Sequence, residues 1–277
     1  MNFPISSVKL EIKQDATDIG DIDFWKYSSS CFKVAETDFL LNVKNVAIYR
    51  VIDGCKINIY LYKGANQKSI DLFLNGSVTG AVLHQRGDLP FHGSSFLYNK
   101  DKGVIICGGS GTGKSSVTEA FCQNGSQFIC DDISPVQIDK TETIILPIKN
   151  HIKLWDDALQ TLHIGTDGLE RIRPSIDKFY LHRQEPLLGQ QRLDVLFILF
   201  THNKDTFVIK ELFGMEKYNA LRSQIYRKVY LKGMSKTEKK YFSELFYLAA
   251  KVKVVRIVRP KICDIYETMR VIESEIY

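Results

Sequence analysis

The sequence predicts an α/β (α+β) fold, with a mixed-sheet core around a phosphate-binding loop and a β-rich N-terminal region before it. Three observations support this. Alternating apolar and polar residues fill much of the first 70 positions, as in antiparallel strands with one wet face. Beyond Pro90, short apolar runs alternate with turns and helical segments. One of these runs leads into a glycine-rich segment followed by a helix. We therefore expect a β-rich region over 1–70 and a P-loop domain over 71–277.

The glycine-rich segment, Gly108 to Ser115, reads GGSGTGKS and matches the pattern G-x-x-x-x-G-K-[ST]. The apolar run 103–107 precedes it as a buried strand, and 116–121 begins a helix. A strand, a tight turn and a helix N-terminus in this order present backbone N–H groups to an anion. The alternative is a glycine-rich turn without a ligand, but the flanking strand and helix favour nucleotide binding. The predicted nucleotide-binding residues are Gly108, Gly109, Ser110, Gly111, Thr112, Gly113, Lys114, Ser115 and Ser116.

Within this loop, two side chains have predicted roles of their own. Lys114 can reach the β- and γ-phosphates of a nucleoside triphosphate, and the Ser115 hydroxyl can ligate Mg²⁺. The sequence therefore predicts that this chain binds a nucleoside triphosphate together with Mg²⁺.

Secondary structure elsewhere follows from the same patterns. Before residue 71, strands are predicted at 8–12, 39–43, 46–51 and 56–62, with turn signals such as Asp53-Gly54 between them. A helix is predicted over 71–85, ending near Gly87. Further apolar runs lie at 95–98, 103–107, 127–130, 143–147 and 194–201. The C-terminal part predicts a helix at 236–251, a strand at 252–258 and a closing helix from Cys263.

Two more features lie close to the loop in sequence. The strand-like run Gln127–Cys130 ends in Asp131 and Asp132, where carboxylates can hold Mg²⁺ or deprotonate a hydroxyl. The alternative is a pair of aspartates that caps a turn. His92 lies just before another strand. A lone histidine is more often structural than catalytic, and for His92 the spacing favours neither role. The spacing alone does not decide between these interpretations.

Composition limits the class of protein. Hydrophobic content of 44% and charged content of 25% are ordinary for a soluble domain. No apolar stretch is long enough to cross a bilayer, no signal peptide is recognisable, and the six cysteines form no CxxC pair. We therefore expect a cytoplasmic protein without membrane contact. Much of the net charge of +5 lies between Arg222 and Arg259. This segment reads best as a solvated helical face, which makes a nucleic-acid surface unlikely, while a docking surface for an acidic partner stays open.

Taken together, the segments 89–95, 103–116 and 128–132 resemble the HPr kinase/phosphorylase-like kinase family and, more distantly, phosphoenolpyruvate carboxykinase. That superfamily has a His-small-Ser segment, a loop of the form G-x-S-G-x-G-K-[ST] and a strand ending in Asp-Asp, in this order. The motifs Ile152–Leu159 and Arg171-Ile172-Arg173-Pro174, with Lys178, resemble peptide-modifying members of the family. The N-terminal region differs from that of true HPr kinases, and no convincing copy of their C-terminal motif linked to dephosphorylation is found.

The resemblance implies an ATP-dependent kinase of the serine type that acts on a peptide or small protein. Asp131 and Asp132 would supply a metal ligand and a general base, in an order that stays open. His92 and Lys114 would complete the catalytic set. Arg171, Arg173 and Lys178 would contact the phosphoryl group or the substrate, or would be surface residues. The alternatives are a kinase of a small-molecule hydroxyl and a nucleotide-binding regulatory protein with little turnover. Because HPr kinases assemble, a homo-oligomer is also expected.

Overall fold

The computed structural model describes residues 3–13, 24–139, 142–148, 151–173, 176–183 and 189–277. The chain divides into two compact units. The first consists of Met1–Pro90 and Tyr226–Ser243, and the second of Phe91–Ile225 and Glu244–Tyr277. In the part of the chain that is described, no helix is both long and apolar enough to span a membrane.

In the first unit, the alternating segments of the N-terminal region pair into one sheet. Its described strands follow the order β1-β6-β5-β4-β3-β2. Neighbours from β2 to β6 are antiparallel, whereas β1 is parallel to β6. The strands are β1 (Lys9–Lys13), β2 (Tyr27–Ser28), β3 (Phe32–Val34), β4 (Asp38–Val43), β5 (Ala47–Ile52) and β6 (Lys56–Leu61). The four strands predicted in this region are confirmed.

A helical segment follows β6. Helix α1 (Gln67–Phe73) begins after Asn66, whose Oδ1 accepts a hydrogen bond from the Ser69 backbone N–H at 3.3 Å. It continues through a π-helical turn, Leu74–Val78, into α2 (Thr79–Arg86). The segment ends at Gly87, whose φ of 74° is left-handed and suits glycine at a helix C-terminus. The helix predicted over 71–85 is confirmed, although it begins earlier.

This helical segment shares a core with the N-terminal sheet. Ile70 and Leu74 are buried in one cluster with Tyr49, and the Tyr49 hydroxyl donates to the Ile70 carbonyl at 2.9 Å. A later 3₁₀ segment, Lys228–Gly233, contributes Tyr230 to the same cluster. The first unit therefore extends past residue 70 and includes a distant piece of chain, whereas the sequence analysis placed a boundary at 70.

The second unit contains a main sheet and a small one. The main sheet includes the order β10-β8-β9-β16-β12-β11, with β18 also paired to β16 and β17 to β18. The small sheet has the order β13-β15-β14. The strand β7 (Leu89–Phe91) lies where the chain passes from one unit to the other. The other strands are β8 (Gly93–Tyr98), β9 (Lys102–Gly108), β10 (Gln127–Cys130), β11 (Ser134–Asp139), β12 (Glu142–Ile145), β13 (His151–Trp155), β14 (Glu170–Arg173), β15 (Ile176–His182), β16 (Gln191–His202), β17 (Val208–Glu211) and β18 (Lys253–Pro260).

Strand direction in the main sheet determines which residues meet at its edges. Strands β9, β16 and β18 are mutually parallel, so their carboxyl ends lie at the same edge. Strands β8 and β9 are antiparallel, and so are β10 and β8. The start of β8 and the end of β10 consequently lie at that same edge. The run 195–199 of the central strand β16 is fully buried, as expected for a strand covered on both faces.

Helices pack against this sheet. Phe121 of α3 (Lys114–Gln123) stacks on Phe96 of β8, with ring centroids 4.4 Å apart. The same buried cluster includes Met269 and Ile272 from the closing helix. The remaining helices of the described chain are α4 (Asp156–Thr161), α5 (Gly214–Ser223), α6 (Ser235–Lys251) and α7 (Ile265–Glu273). Strand β9 and helix α3, predicted on either side of the glycine-rich loop, are confirmed, as are α6, β18 and α7.

Candidate active site

The motifs selected from the sequence meet at one edge of the main sheet. The loop Gly108–Ser115, hereafter the glycine-rich loop, follows the carboxyl end of β9. Gly93, at the start of β8, pairs with Cys107 near that end, which brings the preceding His92 to the loop. Cys130 at the end of β10 pairs with Ser95 of β8, which brings Asp131 there too. The strand registers therefore assemble three motifs that are separate in sequence.

The backbone of the glycine-rich loop requires glycine at particular positions. Gly108 and Gly113 have φ values of 143° and 95°, in the region that side chains rarely adopt. A Cβ on Gly108 would lie 2.5 Å from the Leu199 carbonyl oxygen of the neighbouring strand. Helix α3 begins directly after Gly113, at Lys114. The loop thus joins a strand to a helix N-terminus, where backbone N–H groups favour an anion.

Lys114 is buried beside the loop without a neutralising carboxylate. Its ammonium donates to the Gly109 carbonyl at 2.8 Å, and the residue is only 8% exposed. Among the described residues, no carboxylate lies within ion-pair distance of it. Burial lowers the pKa of Lys114, because loss of water around the ammonium disfavours its charged form. An anion bound at the loop would supply the missing negative charge.

Asp131 is hydrogen-bonded to both the loop and the small sheet. Its Oδ1 accepts from the Ser115 hydroxyl at 2.7 Å, and its Oδ2 accepts from the Lys153 backbone N–H at 3.0 Å. The residue is 3% exposed. These contacts fix the carboxylate next to the first turn of α3. The Ser115 hydroxyl and the Asp131 carboxylate together offer hard oxygen atoms on one side of the cleft.

This donor set fits Mg²⁺, which proteins usually bind through one or two carboxylates together with substrate phosphates and water. The described part of the chain contains no group of three or more His, Cys, Asp or Glu side chains suited to a metal ion. A cation here would therefore need phosphate oxygens to complete its coordination. Ser115 and Asp131 are the residues that would hold it.

Asp132 differs from Asp131 in backbone and surroundings. Its φ is 72°, a conformation that few residues other than glycine adopt and that Asp tolerates better than most. Its Oδ2 pairs with the Lys153 ammonium at 3.0 Å, and its side chain is 25% exposed. Burial lowers the pKa of Lys153, but the Asp132 carboxylate more than offsets this, so the net pKa lies above its ordinary value. Asp132 is thus held on the open side of the cleft.

His92 contacts the backbone of Asp132. Its Nδ1 lies 3.0 Å from the Asp132 carbonyl oxygen and 3.8 Å from Asp132 Oδ1. Because a carbonyl can only accept, Nδ1 carries the hydrogen and Nε2 has the lone pair in the neutral ring. Burial, followed by the charge of Lys114, lowers the pKa of His92 below its ordinary value of 6.5. This shift favours the neutral form of the ring.

The named side chains surround a small cleft of about 120 Å³. Its walls include Lys178, whose ammonium lies 5.5 Å from the centre of the Trp155 ring. Trp155 and Lys178 are cross-strand partners on β13 and β15. The residues that line the cleft are His92, Ser110, Gly111, Gly113, Lys114, Ser115, Ser116, Asp131, Asp132, Lys153, Trp155 and Lys178.

The three candidate contacts for the phosphoryl group do not all line the cleft. Lys178 lines the cleft, and burial lowers its pKa. Arg171 is exposed on β14, where it pairs with Asp177 at 2.9 Å. Arg173 lies on the same strand and does not line the cleft. Pro174, part of the motif around Arg173, lies outside the described residues. Of the three, only Lys178 is placed to meet a ligand in this cleft.

Arg259 is a residue of this site that the sequence analysis did not select. It lies near the carboxyl end of β18, which is parallel to β16 and β9 and so ends at the same edge. Its Nε–H donates to the Thr112 carbonyl of the glycine-rich loop at 3.0 Å. Only the strand pairing brings it to the loop, so the available signal was the predicted strand 252–258 and the direction in which it joins the sheet.

Other residues of the basic segment 222–259 have separate local contacts. Arg256 pairs with Glu216 at 3.1 Å, and the Lys240 ammonium donates to the Gly87 carbonyl at 2.8 Å. Lys236 and Lys239 are exposed on α6. The interpretation of this segment as a solvated face stays a prediction.

Comparison with protein-family models finds no match for this chain. No curated protein matches it either. Among solved structures, the chain is similar to the Hpr(Ser) kinase/phosphatase from Coxiella burnetii, at 16% identity and a TM-score of 0.34. That match covers 67% of this chain and 91% of the other.

Proposed function

We propose that this chain is an ATP-dependent, Mg²⁺-requiring kinase that transfers the γ-phosphoryl group to a hydroxyl. The observation that carries the proposal is the convergence of two carboxylates on the glycine-rich loop, with Asp131 accepting from Ser115 at 2.7 Å. A protein that only binds nucleotide needs the loop alone. A second carboxylate, Asp132, on the open side of the same cleft supports group transfer.

The two carboxylates have different roles in this proposal. Asp131, buried and bonded to Ser115, holds the metal ion, which when bound neutralises charge on the phosphates. Asp132 is the general base. The acceptor oxygen forms a bond to the γ-phosphorus, the bond from that phosphorus to the β,γ-bridging oxygen breaks, and ADP leaves. The acceptor proton passes to the Asp132 carboxylate.

The cations of the cleft stabilise the transferring group. Lys114 and Lys178 each lie in the cleft without a carboxylate at ion-pair distance among the described residues, so both are available to phosphate oxygens. Lys153 holds Asp132 in place through its ion pair of 3.0 Å. His92, bonded to the Asp132 backbone, helps to fix the unusual conformation of that residue. Positioning and electrostatics thus supply most of the catalysis.

As acceptor we propose a serine hydroxyl of a peptide or small protein, with the reaction taking place in the cytoplasm. The test is mass spectrometry of serine-containing peptides and small metabolites after incubation with Mg²⁺ and ATP. A Lys114→Ala variant is the control. A product one phosphate group heavier, formed by the unmodified protein and absent with the variant, supports the kinase and identifies its acceptor class. Measurable ATP binding without product or ATP consumption contradicts it and favours a regulatory nucleotide-binding protein.

A further inference from the structure

A second, larger cleft opens beside the small one. Its volume is about 920 Å³, within the range of pockets that hold drug-sized ligands. The two clefts share Gly111, Gly113, Ser116 and Trp155 in their walls. The glycine-rich loop therefore borders both, and a ligand bound along the loop extends from one into the other.

The residues that line only one of the two clefts indicate how a ligand is oriented along the loop. Lys114, Asp131 and Asp132 line only the small cleft, whereas Val117 of α3 lines only the larger one. In a loop of this pattern the backbone N–H groups hold the α- and β-phosphates and the lysine reaches the β- and γ-phosphates. The terminal phosphate consequently lies in the small cleft. The rest of the molecule then extends past the start of α3 into the larger cleft.

Arg259 lines the larger cleft and contacts the glycine-rich loop, which borders both clefts. Its Nε–H donates to the Thr112 carbonyl at 3.0 Å, and its Nη1–H donates to Pro260 O at 3.1 Å and Cys263 Sγ at 3.0 Å. Its Nη2 faces Gly113 of the loop, since a Cβ on that glycine would lie 3.0 Å from it. In the described part of the chain no carboxylate pairs with Arg259. A guanidinium held in this way is suited to a phosphate oxygen on the loop.

We propose that the larger cleft holds the nucleoside of the donor nucleotide and that Arg259 contacts the phosphate nearest to it. The inference rests on the proposed function and adds the orientation of the donor. The half-exposed Trp155 ring and the side chain of Ile265 give apolar surface for the base. The carboxylate of Asp157 gives an acceptor for the ribose hydroxyls. The acceptor substrate then approaches Asp132 from the side of the small cleft.

The test is a substitution that fills the larger cleft far from the loop. Thr161 is exposed at the end of α4 and lines only the larger cleft, so Thr161→Phe places a ring in it. Gln160→Phe is the matched control, because Gln160 is exposed on the same helix but does not line the cleft. Titration calorimetry with Mg²⁺–ATP and with inorganic tripolyphosphate reports nucleoside and phosphate binding separately.

With Thr161→Phe we expect ATP to bind about tenfold or more weakly, equivalent to about 1.4 kcal/mol, while tripolyphosphate binding is unchanged. Gln160→Phe leaves both unchanged. Unchanged ATP affinity, or a raised KM for the acceptor alone, would overturn the proposal and assign the larger cleft to the acceptor. If the unmodified chain binds tripolyphosphate but not ATP, the proposed function itself fails, and the donor orientation with it.

The contact of Arg259 is tested by comparing Arg259→Lys with Arg259→Gln. Lysine keeps the charge but cannot reproduce the hydrogen bonds to Thr112 and Cys263 together. A phosphate contact predicts that the lysine variant retains several-fold more affinity for tripolyphosphate than the glutamine variant. Equal loss of tripolyphosphate affinity in both variants would show that Arg259 only stabilises the loop and does not contact the phosphate.

Discussion

The Ser115 hydroxyl donates a 2.7 Å hydrogen bond to Asp131, and so joins the glycine-rich loop to the end of a neighbouring strand. The two residues are 16 positions apart in sequence. The connection is made because β10 and β9 both pair with β8. This pair gives the cleft a side suited to a metal ion, while the neighbouring Asp132 is more exposed.

Replacing Asp131 with asparagine is expected to remove the Mg²⁺ dependence of ATP binding. Asparagine has nearly the same shape but lacks the charge that is proposed to hold the cation. A charged interaction of this kind contributes on the order of 2 kcal/mol, so affinity in Mg²⁺ falls by about tenfold or more. Calorimetry with and without Mg²⁺ checks this. Asp139→Asn, at the exposed end of β11, is the control and leaves the dependence intact. Equal Mg²⁺ effects in both variants would refute the assignment.

Asp132→Asn is expected to bind ATP but to transfer phosphate about 10²-fold or more slowly, because it lacks the proposed general base. Asparagine tolerates the φ of 72° at this position, so the variant keeps the backbone. Single-turnover phosphotransfer measured at saturating ATP separates chemistry from binding. A transfer rate equal to that of the unmodified protein would exclude Asp132 as the base.

Lys178→Met is expected to slow phosphoryl transfer by about tenfold or more, since it removes a cation from the cleft. Arg171→Met serves as the comparison. Arg171 is exposed and paired with Asp177 on the surface, an interaction of small energetic value. We expect its rate to stay within about twofold of the unmodified protein, given the weak effect of such pairs. If Arg171→Met lowers the steady-state kcat more than Lys178→Met does, the small sheet presents Arg171 rather than Lys178 to the substrate.

His92 is expected to make the folded protein less stable as the pH falls. Burial holds the pKa of folded His92 below 6.5, so the unfolded chain takes up its proton first. The contribution is complete above pH 6.5 and is lost as the pH falls toward the lower, folded pKa. The pKa of His84, lowered by burial to about 4, adds a loss of the same sign. Urea unfolding of the unmodified chain and of His92→Asn between pH 7 and 5 separates the contribution of His92 from that of His84. If the free energy of unfolding changes with pH equally in both proteins, the role given to His92 is contradicted.

The glycine-rich loop could be predicted from the sequence because its chemistry is contiguous. Strand, turn, lysine and helix follow one another between 103 and 121, and each part is a local preference of the backbone. Asp131 and His92 could be placed next to predicted strands, but their spacing alone did not decide whether they belong to the site. The alternating N-terminal strands could be predicted equally well, since burial of every second residue is a local signal in the sequence.

The contacts of Lys153 and Arg259 could not be predicted in the same way. Lys153 donates its backbone N–H to Asp131 because the small sheet lies against the main one at this point. Arg259 reaches Thr112 through the parallel pairing of β18 with β16. Both depend on long-range strand order, which local patterns do not encode. The extent of the first unit is a further example, since Tyr230 joins its core from far along the chain.

The most direct measurement is a phosphotransfer assay on a library of single-serine peptides with Mg²⁺ and γ-labelled ATP, comparing the unmodified chain with Asp132→Asn. We expect labelled phosphopeptide and ADP in equal amounts with the unmodified chain. With the variant we expect almost no labelled phosphopeptide, although the variant still binds ATP. ATP binding by both proteins with no labelled peptide from either, or equal labelling by both, would contradict phosphoryl transfer through Asp132.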